Sequence, residues 1–208
     1  MAKMLIITGP QGSGNHVFSK VFALHEEVYG WKTLLNTYWE GHHHEPFADM
    51  WANPELAHDF DWDQSEYYVT SISCPFFRDG VPQVPDYEEF IHTVADYVDI
   101  EIVVIGRDQN ILEFQQERLR GAHTTPIAQQ NFEAYLFEHF DVSFVSQELL
   151  YLYKERYLEQ LERQLDFPVA FYDPEVEEIL REDANRKYIK RANEYWLDFE
   201  VQRAMRES

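Results

Sequence analysis

Positive charge is scarce in this sequence: 17 Lys and Arg stand against 38 Asp and Glu, a formal charge of −21 at pH 7. Such a chain does not coat nucleic acid or anionic membrane nonspecifically, and any anionic ligand needs a local cationic pocket. Cysteine is scarcer still. Cys74, the single one, cannot form an internal disulfide and has no second cysteine with which to build a zinc or redox motif. No apolar run approaches the roughly 18 residues of a membrane-spanning helix, and the first residues lack the long apolar segment of a secretory signal. The expectation is therefore a protein of the cytoplasm with no membrane association. What is present suffices for a core: 45% of the 208 residues are apolar and 16% aromatic, the amount one domain needs.

Residues 3–8 (KMLIIT) form a short apolar run ending in a Gly-rich segment, as a buried parallel strand does. Val17, Phe18, Val21, Phe22, His25 and Val28 then share one helical face, which predicts a helix over 15–29. Between 30 and 66 the pattern weakens into a Trp- and His-rich insertion. β-Branched and aromatic residues at 67–74 predict a strand that Pro75 ends, and a turn-rich segment with Gly80, Pro82 and Pro85 follows. Asp86 is placed to cap a helix over 86–98, and 101–106 (EIVVIG) reads as a buried strand. Helices are expected at 110–120 and 125–139, separated at Gly121, then a strand at 142–145, a long helix at 147–165 and a last strand at 169–172. This alternation predicts a single three-layer α/β domain over 1–208, with a mostly parallel central sheet of about five strands and helices on both faces. From Arg181 onward 7 basic and 6 acidic residues give +1, so the first 180 residues carry −22 and the tail is the least acidic part. A surface helix, or one closing over an anionic site, would account for it.

Gly9-Pro-Gln-Gly12-Ser13-Gly14-Asn15-His16 has the glycine spacing of a phosphate-binding P-loop, whose backbone N–H groups and following helix N-terminus surround a phosphate. Asn15 stands where that motif has its Lys, and His16 where it has the Ser or Thr that holds magnesium. Losing the Lys removes the cation that offsets charge on a transferring phosphoryl group, which argues against ATP hydrolysis by the usual route.

Residues 5–18 (LIITGPQGSGNHVF) resemble the 5′-phosphosulfate loop of the sulfotransferases, P-loop relatives in which Ser-Gly is followed by small polar residues. Residues 105–115 (IGRDQNILEFQ) resemble the strand-to-helix element of that family that binds the donor's 3′-phosphate, with Arg107 at the place of its phosphate-binding arginine. The chain departs from the pattern at Gly12, where the family has Lys or Arg, and at Gln115, where it has Ser. No His follows Ser73-Cys74-Pro75 to act as a base. The resemblance implies a P-loop fold binding 3′-phosphoadenosine 5′-phosphosulfate through Gly9, Gly12, Ser13, Gly14, Asn15, His16, Arg107 and Gln115. It further implies sulfuryl transfer to a small-molecule or macromolecular hydroxyl or amine acceptor, with no metal required. Charge on the bridging oxygen would be met by the loop amides, by His16 in its protonated form and by Lys20, one turn further along the helix. The helix dipole disfavours a cationic His at that position, so a bound anion would be needed to keep it charged.

Two other readings stay open. Arg107-Asp108 with Leu112, Arg118, Arg120 and Gly121 also resembles the strand and helix before the arginine-bearing lid of nucleoside and nucleotide kinases. A P-loop fold without turnover, in a virus for example, would serve as a binding or assembly module. Elsewhere, His42, His43, His44, Glu45 and Asp49 are metal-ligand types, but consecutive side chains in an extended segment alternate in direction and cannot all reach one ion, so a loop over the cleft is expected there. Trp31, Trp39, Trp51 and Trp62 suit either an aromatic acceptor pocket or packing under the insertion. Cys74 reads as a buried structural thiol, since no neighbour in sequence activates it. Residues 185–188 (NRKY) form the best cationic cluster of the tail, a candidate to face the donor's phosphates.

Overall fold

The computed structural model describes residues 2–32, 45–78, 81–181, 183, 185, 186 and 203. Its centre is β1 (Lys3–Pro10), which is paired on both sides and therefore buried on both faces along nearly its whole length. On one side lie β3 (Tyr67–Cys74) and the two-residue β2 (Val28–Tyr29); on the other lie β6 (Asp99–Gly106) and β7 (Ser143–Ser146). Among the described residues these five strands form one parallel sheet in the order β2-β3-β1-β6-β7. Two further strands, β4 (Phe76–Arg78) and β5 (Val81–Gln83), pair antiparallel after β3, in the segment expected to be turn-rich.

Alternate residues of the strands feed two cores. Leu5, Ile7, Val69, Val103 and Ile105 pack under α1 (Asn15–Ala23), α6 (Glu155–Leu165) and α7 (Pro174–Arg181). Met4, Ile6, Tyr68, Ile102 and Val104 face α2 (Tyr87–Val94), α4 (Thr125–Phe132) and the irregular segment carrying Phe47 and Trp51. The architecture is a three-layer, P-loop-like α/β fold. Local signals placed several helix ends. Asp86 Oδ1 accepts from Glu89 N at 3.0 Å to start α2, Asp108 Oδ1 accepts from Ile111 N at 3.0 Å to start α3 (Gln109–Arg120), and Gly121, at φ 70°, ends α3.

Three expectations need correction. The helix expected over 15–29 stops at Ala23, because Val28 and Tyr29 are drawn into pairing with Tyr67 and Tyr68 on the outer edge of β3. The helix expected over 147–165 is two helices, α5 (Gln147–Tyr153) and α6, divided at Lys154 with φ 51°. That bend lets Tyr157 return to the end of β7, where its hydroxyl accepts from Ser146 N at 2.9 Å. Residues 169–172 are not a strand; Phe167 and Val169 drop into the core beneath α1 and the chain turns, with Phe171 N bonding Val169 O at 3.0 Å. A short apolar run fits a core-filling segment as well as a strand, and periodicity does not separate the two.

The chain leaves β1 toward β3 and leaves β6 toward β7, in opposite directions across the sheet. The loops at the carboxyl ends of β1 and β6 therefore flank the crevice where open α/β sheets bind ligands. Register levels these ends: Thr8 pairs with Val104, and a Cβ on Gly9 would sit 2.9 Å from Ile105 O. Gly9 thus lets the glycine loop and Arg107 stand side by side.

Candidate functional site

The loop between β1 and α1 is built on two left-handed glycines, Gly12 (φ 88°) and Gly14 (φ 112°), conformations that a residue with a Cβ rarely adopts. Ser13 N bonds Pro10 O at 3.0 Å, and Phe18 N bonds Gly14 O at 3.1 Å to open α1, whose first turn carries no acidic residue. That arrangement leaves the positive end of the helix dipole at the crevice.

Asn15, at the place of the Walker lysine, is turned into the protein. Its Oδ1 accepts from Ser13 Oγ at 2.8 Å, and its Nδ2 donates to Ser73 Oγ at 3.0 Å and Ile72 O at 3.2 Å. With only 4% of its surface exposed, Asn15 ties the loop to the end of β3. His16, half-buried, follows it in the first turn of α1. Lys20 points away from the crevice: buried on the α1 face, its ammonium lies 2.5 Å from Glu175 of α7.

Arg107, on the loop after β6, reaches the glycine loop. Its Nη1 donates to Gly12 O and, at 2.8 Å, to Gln115 Oε1. Gln115 also covers Gly12, whose added Cβ would come within 3.2 Å of its side chain. The Nε and Nη2 edge of Arg107 is directed at Asn185 Oδ1, at 2.9 and 2.6 Å. The structure thus brings together Gly12, Arg107 and Gln115, and it sends Lys20 elsewhere.

Several residues of this neighbourhood were not singled out by sequence. Gln11 and Gln116 are buried; Gln116 Nε2 donates to Gln11 O at 2.8 Å, and its Oε1 accepts from Thr124 N, Thr125 N and Thr125 Oγ1 at 2.8 to 3.2 Å. Thr124 Oγ1 completes the network by donating to Gln11 Oε1 at 3.1 Å. Gln147, the first residue of α5, lies so close to Gly14 that a Cβ there would overlap its Oε1, and among the described residues that buried oxygen has no hydrogen-bond partner. The signal that could have found Gln147 is positional: it follows directly on a strand of the parallel sheet, at the carboxyl edge.

Glu45 was considered only as a metal-ligand type. It caps the edge of β3 that the short β2 leaves open, with Oε1 accepting from Ser71 N at 3.0 Å and Ser71 Oγ at 2.8 Å. Burial outweighs these hydrogen bonds and pushes its carboxyl up to about 7. Cys74 is buried beside Tyr87, and desolvation raises its thiol to about 12, which removes it as a nucleophile near neutral pH. Trp51 stacks on Phe90 at 3.7 Å and Trp62 on Tyr97 at 5.7 Å, so both serve packing. Arg118 and Arg120 lie exposed in the last turn of α3. His42, His43, His44, Trp39, Lys187 and Tyr188 lie outside the described residues. A cavity of about 960 Å³ opens at the opposite, amino-terminal edge of the sheet, lined by Lys3, Asp63, Glu66, Asp99, Glu101 and Asp166 among others. Its acidic lining repels anions, so the crevice at the glycine loop is the better anion site.

No protein-family model matches the chain, and none of the curated proteins matches it. No helix among the described residues is long and apolar enough to cross a membrane.

Proposed function

We propose that the Gly9–Gly14 loop and Arg107 bind 3′-phosphoadenosine 5′-phosphosulfate, and that the protein is sulfotransferase-like, passing a sulfuryl group to a hydroxyl or amine acceptor. One observation carries this reading: Arg107 donates to the Gly12 carbonyl, so the two segments with phosphate-binding character are one hydrogen bond apart. The positive-φ glycines and the start of α1 supply backbone N–H groups, and Arg107 supplies a fixed positive charge, a set that suits oxyanions. When bound, the donor supplies the sulfuryl group; its S–O bond to the 5′-phosphate breaks as the acceptor atom bonds to sulfur and gives up its proton to solvent. The chain's part is to hold the two phosphate positions and to steady the charge left on the 5′-phosphate through the loop amides and His16.

Lys20 favours a second reading, a binding or assembly module without turnover, because its ammonium is held by Glu175 and not by the crevice. A thermal-shift titration with 3′-phosphoadenosine 5′-phosphate, ADP, and ATP with magnesium separates the readings, since a ligand at a hundredfold excess over Kd adds about 2.7 kcal/mol of stability. The expected result is stabilisation by the 3′-phosphorylated nucleotide that is lost in Arg107→Ala. Preference for ATP with magnesium would replace the reading with a nucleotide kinase. A flat response to all three would leave the module.

A further inference from the structure

Asn185 occupies the edge of Arg107 that an anionic oxygen would use. Arg107 Nε and Nη2 converge on the single Asn185 Oδ1, at 2.9 and 2.6 Å. Paired N–H groups of this kind are how a guanidinium grips carboxylate and phosphate. The other end of the guanidinium is turned to Gly12 and Gln115, so in this state the Nε edge is given to the chain itself. Asn185 is placed there by a small set of bonds. Its backbone N–H bonds Asp183 Oδ1 at 2.8 Å and its Nδ2 donates to Glu148 Oε1 at 3.2 Å. Glu148 Oε1 also accepts from Asp108 N at 3.0 Å and Glu148 Oε2 from Ser146 Oγ at 3.0 Å, so the carboxylate keeps partners if the amide turns away. Asn185 is 3% exposed, which places the contact inside the crevice.

We propose that Asn185 is a built-in competitor for the anion site: its carboxamide oxygen fills the Arg107 fork, and a phosphate or sulfate group enters by displacing it. The inference rests on the reading of Arg107 as an anion ligand. A neutral amide oxygen is held less strongly by a guanidinium than an ionised oxyanion in the same geometry, so the exchange favours a charged ligand. The apparent affinity is the intrinsic one multiplied by the fraction of molecules with the fork open, and weakly charged ligands are disfavoured because they do not compensate for the lost contact.

The test is a calorimetric titration of the full chain with inorganic sulfate and, separately, with 3′-phosphoadenosine 5′-phosphate, using the native protein, Asn185→Ala and Asn185→Asp. Competition predicts opposite signs: Asn185→Ala binds both anions about tenfold more tightly, the scale of one charge-assisted contact, and Asn185→Asp binds them more weakly because a carboxylate now holds the fork. In an Arg107→Ala background the gain from Asn185→Ala disappears. Unchanged or weaker binding by Asn185→Ala would overturn the proposal and make Asn185 a residue that positions Arg107. Tighter sulfate binding with no nucleotide binding by any variant would uphold the competitor and reject the donor reading. Equal nucleotide affinity in native protein and Asn185→Ala would do the reverse, and no anion bound by any variant would reject both. Should Asn185→Ala fail to fold, Asn185→Ser, which shortens the reach to Arg107, carries the same expectation.

Discussion

Lys20 Nζ and Glu175 Oε2 lie 2.5 Å apart, joining the helix that starts at the glycine loop to α7, with the lysine side chain 1% exposed. Breaking such a pair from one side leaves an uncompensated buried charge. Glu175→Gln is expected to lower stability by about 1–3 kcal/mol, less than for an enclosed pair because Glu175 is itself half exposed. Lys20→Met, which removes the charge and keeps the stem, should cost less. Denaturant melts of both variants check the order.

Glu45 gives stability a dependence on pH. Its carboxyl is raised from 4.5 to about 7 by burial, so between those values the folded chain keeps a proton that the unfolded chain has lost. The contribution is fully present below about 4.5 and is lost as pH rises toward about 7, a total on the order of 3 kcal/mol. In Glu45→Gln, which keeps an acceptor for Ser71, this part of the slope between pH 5 and pH 7 should vanish. An unchanged slope in paired urea melts across that range would refute the assignment.

Cys74 should be inert in the folded protein. With the thiol buried and raised to about 12, labelling by an aromatic disulfide at pH 8 should wait on unfolding and accelerate with denaturant. Rapid labelling of the native chain would contradict the burial seen here.

Gln116 holds Gln11 of the glycine loop with one end of its amide and the first residues of α4 with the other. Gln116→Leu strands buried backbone donors of Thr124 and Thr125 and should cost about 2–4 kcal/mol, while Gln116→Glu retains the acceptor and, at acid pH where the buried carboxyl holds its proton, can still donate to Gln11 O. Thermal denaturation of the two variants at acid pH should show the larger loss for Gln116→Leu.

The parallel strands on either side of the crevice were legible because β1 and β6 each contain a continuous apolar run and β3 is rich in β-branched and aromatic residues, each ending at or just before a Gly or Pro. β2 was not legible: two residues carry no period, and their pairing is decided by the edge of β3. The glycine spacing and Arg107 are both legible in the sequence, and both lie at one crevice. Lys20 misled because helical spacing gives a residue's distance from the loop and not the face on which it lies, whereas the Phe18, Val21 and Phe22 stripe already set that face toward the core. Gln11 and Gln116 were hidden for a simpler reason. A buried amide differs from an exposed one only in its partners, and those lie 105 residues apart. Asn185 was marked as the first residue of the 185–188 cluster, but its contact with Arg107, 78 residues away, has no sign in the sequence.

The side chain of Asn15 makes this loop a finished piece of architecture before any ligand arrives. Where a lysine would point outward and wait for a phosphate to neutralise it, a neutral amide here staples Ser13 to Ser73 and Ile72. Placing the motif's lysine at this one position would not by itself supply the motif's chemistry: Asn15→Lys would cut the staple and put a charge among buried neutral groups. The loop is held by its own side chains, so what changes when an anion reaches the crevice is the Arg107 edge beside it and not the loop.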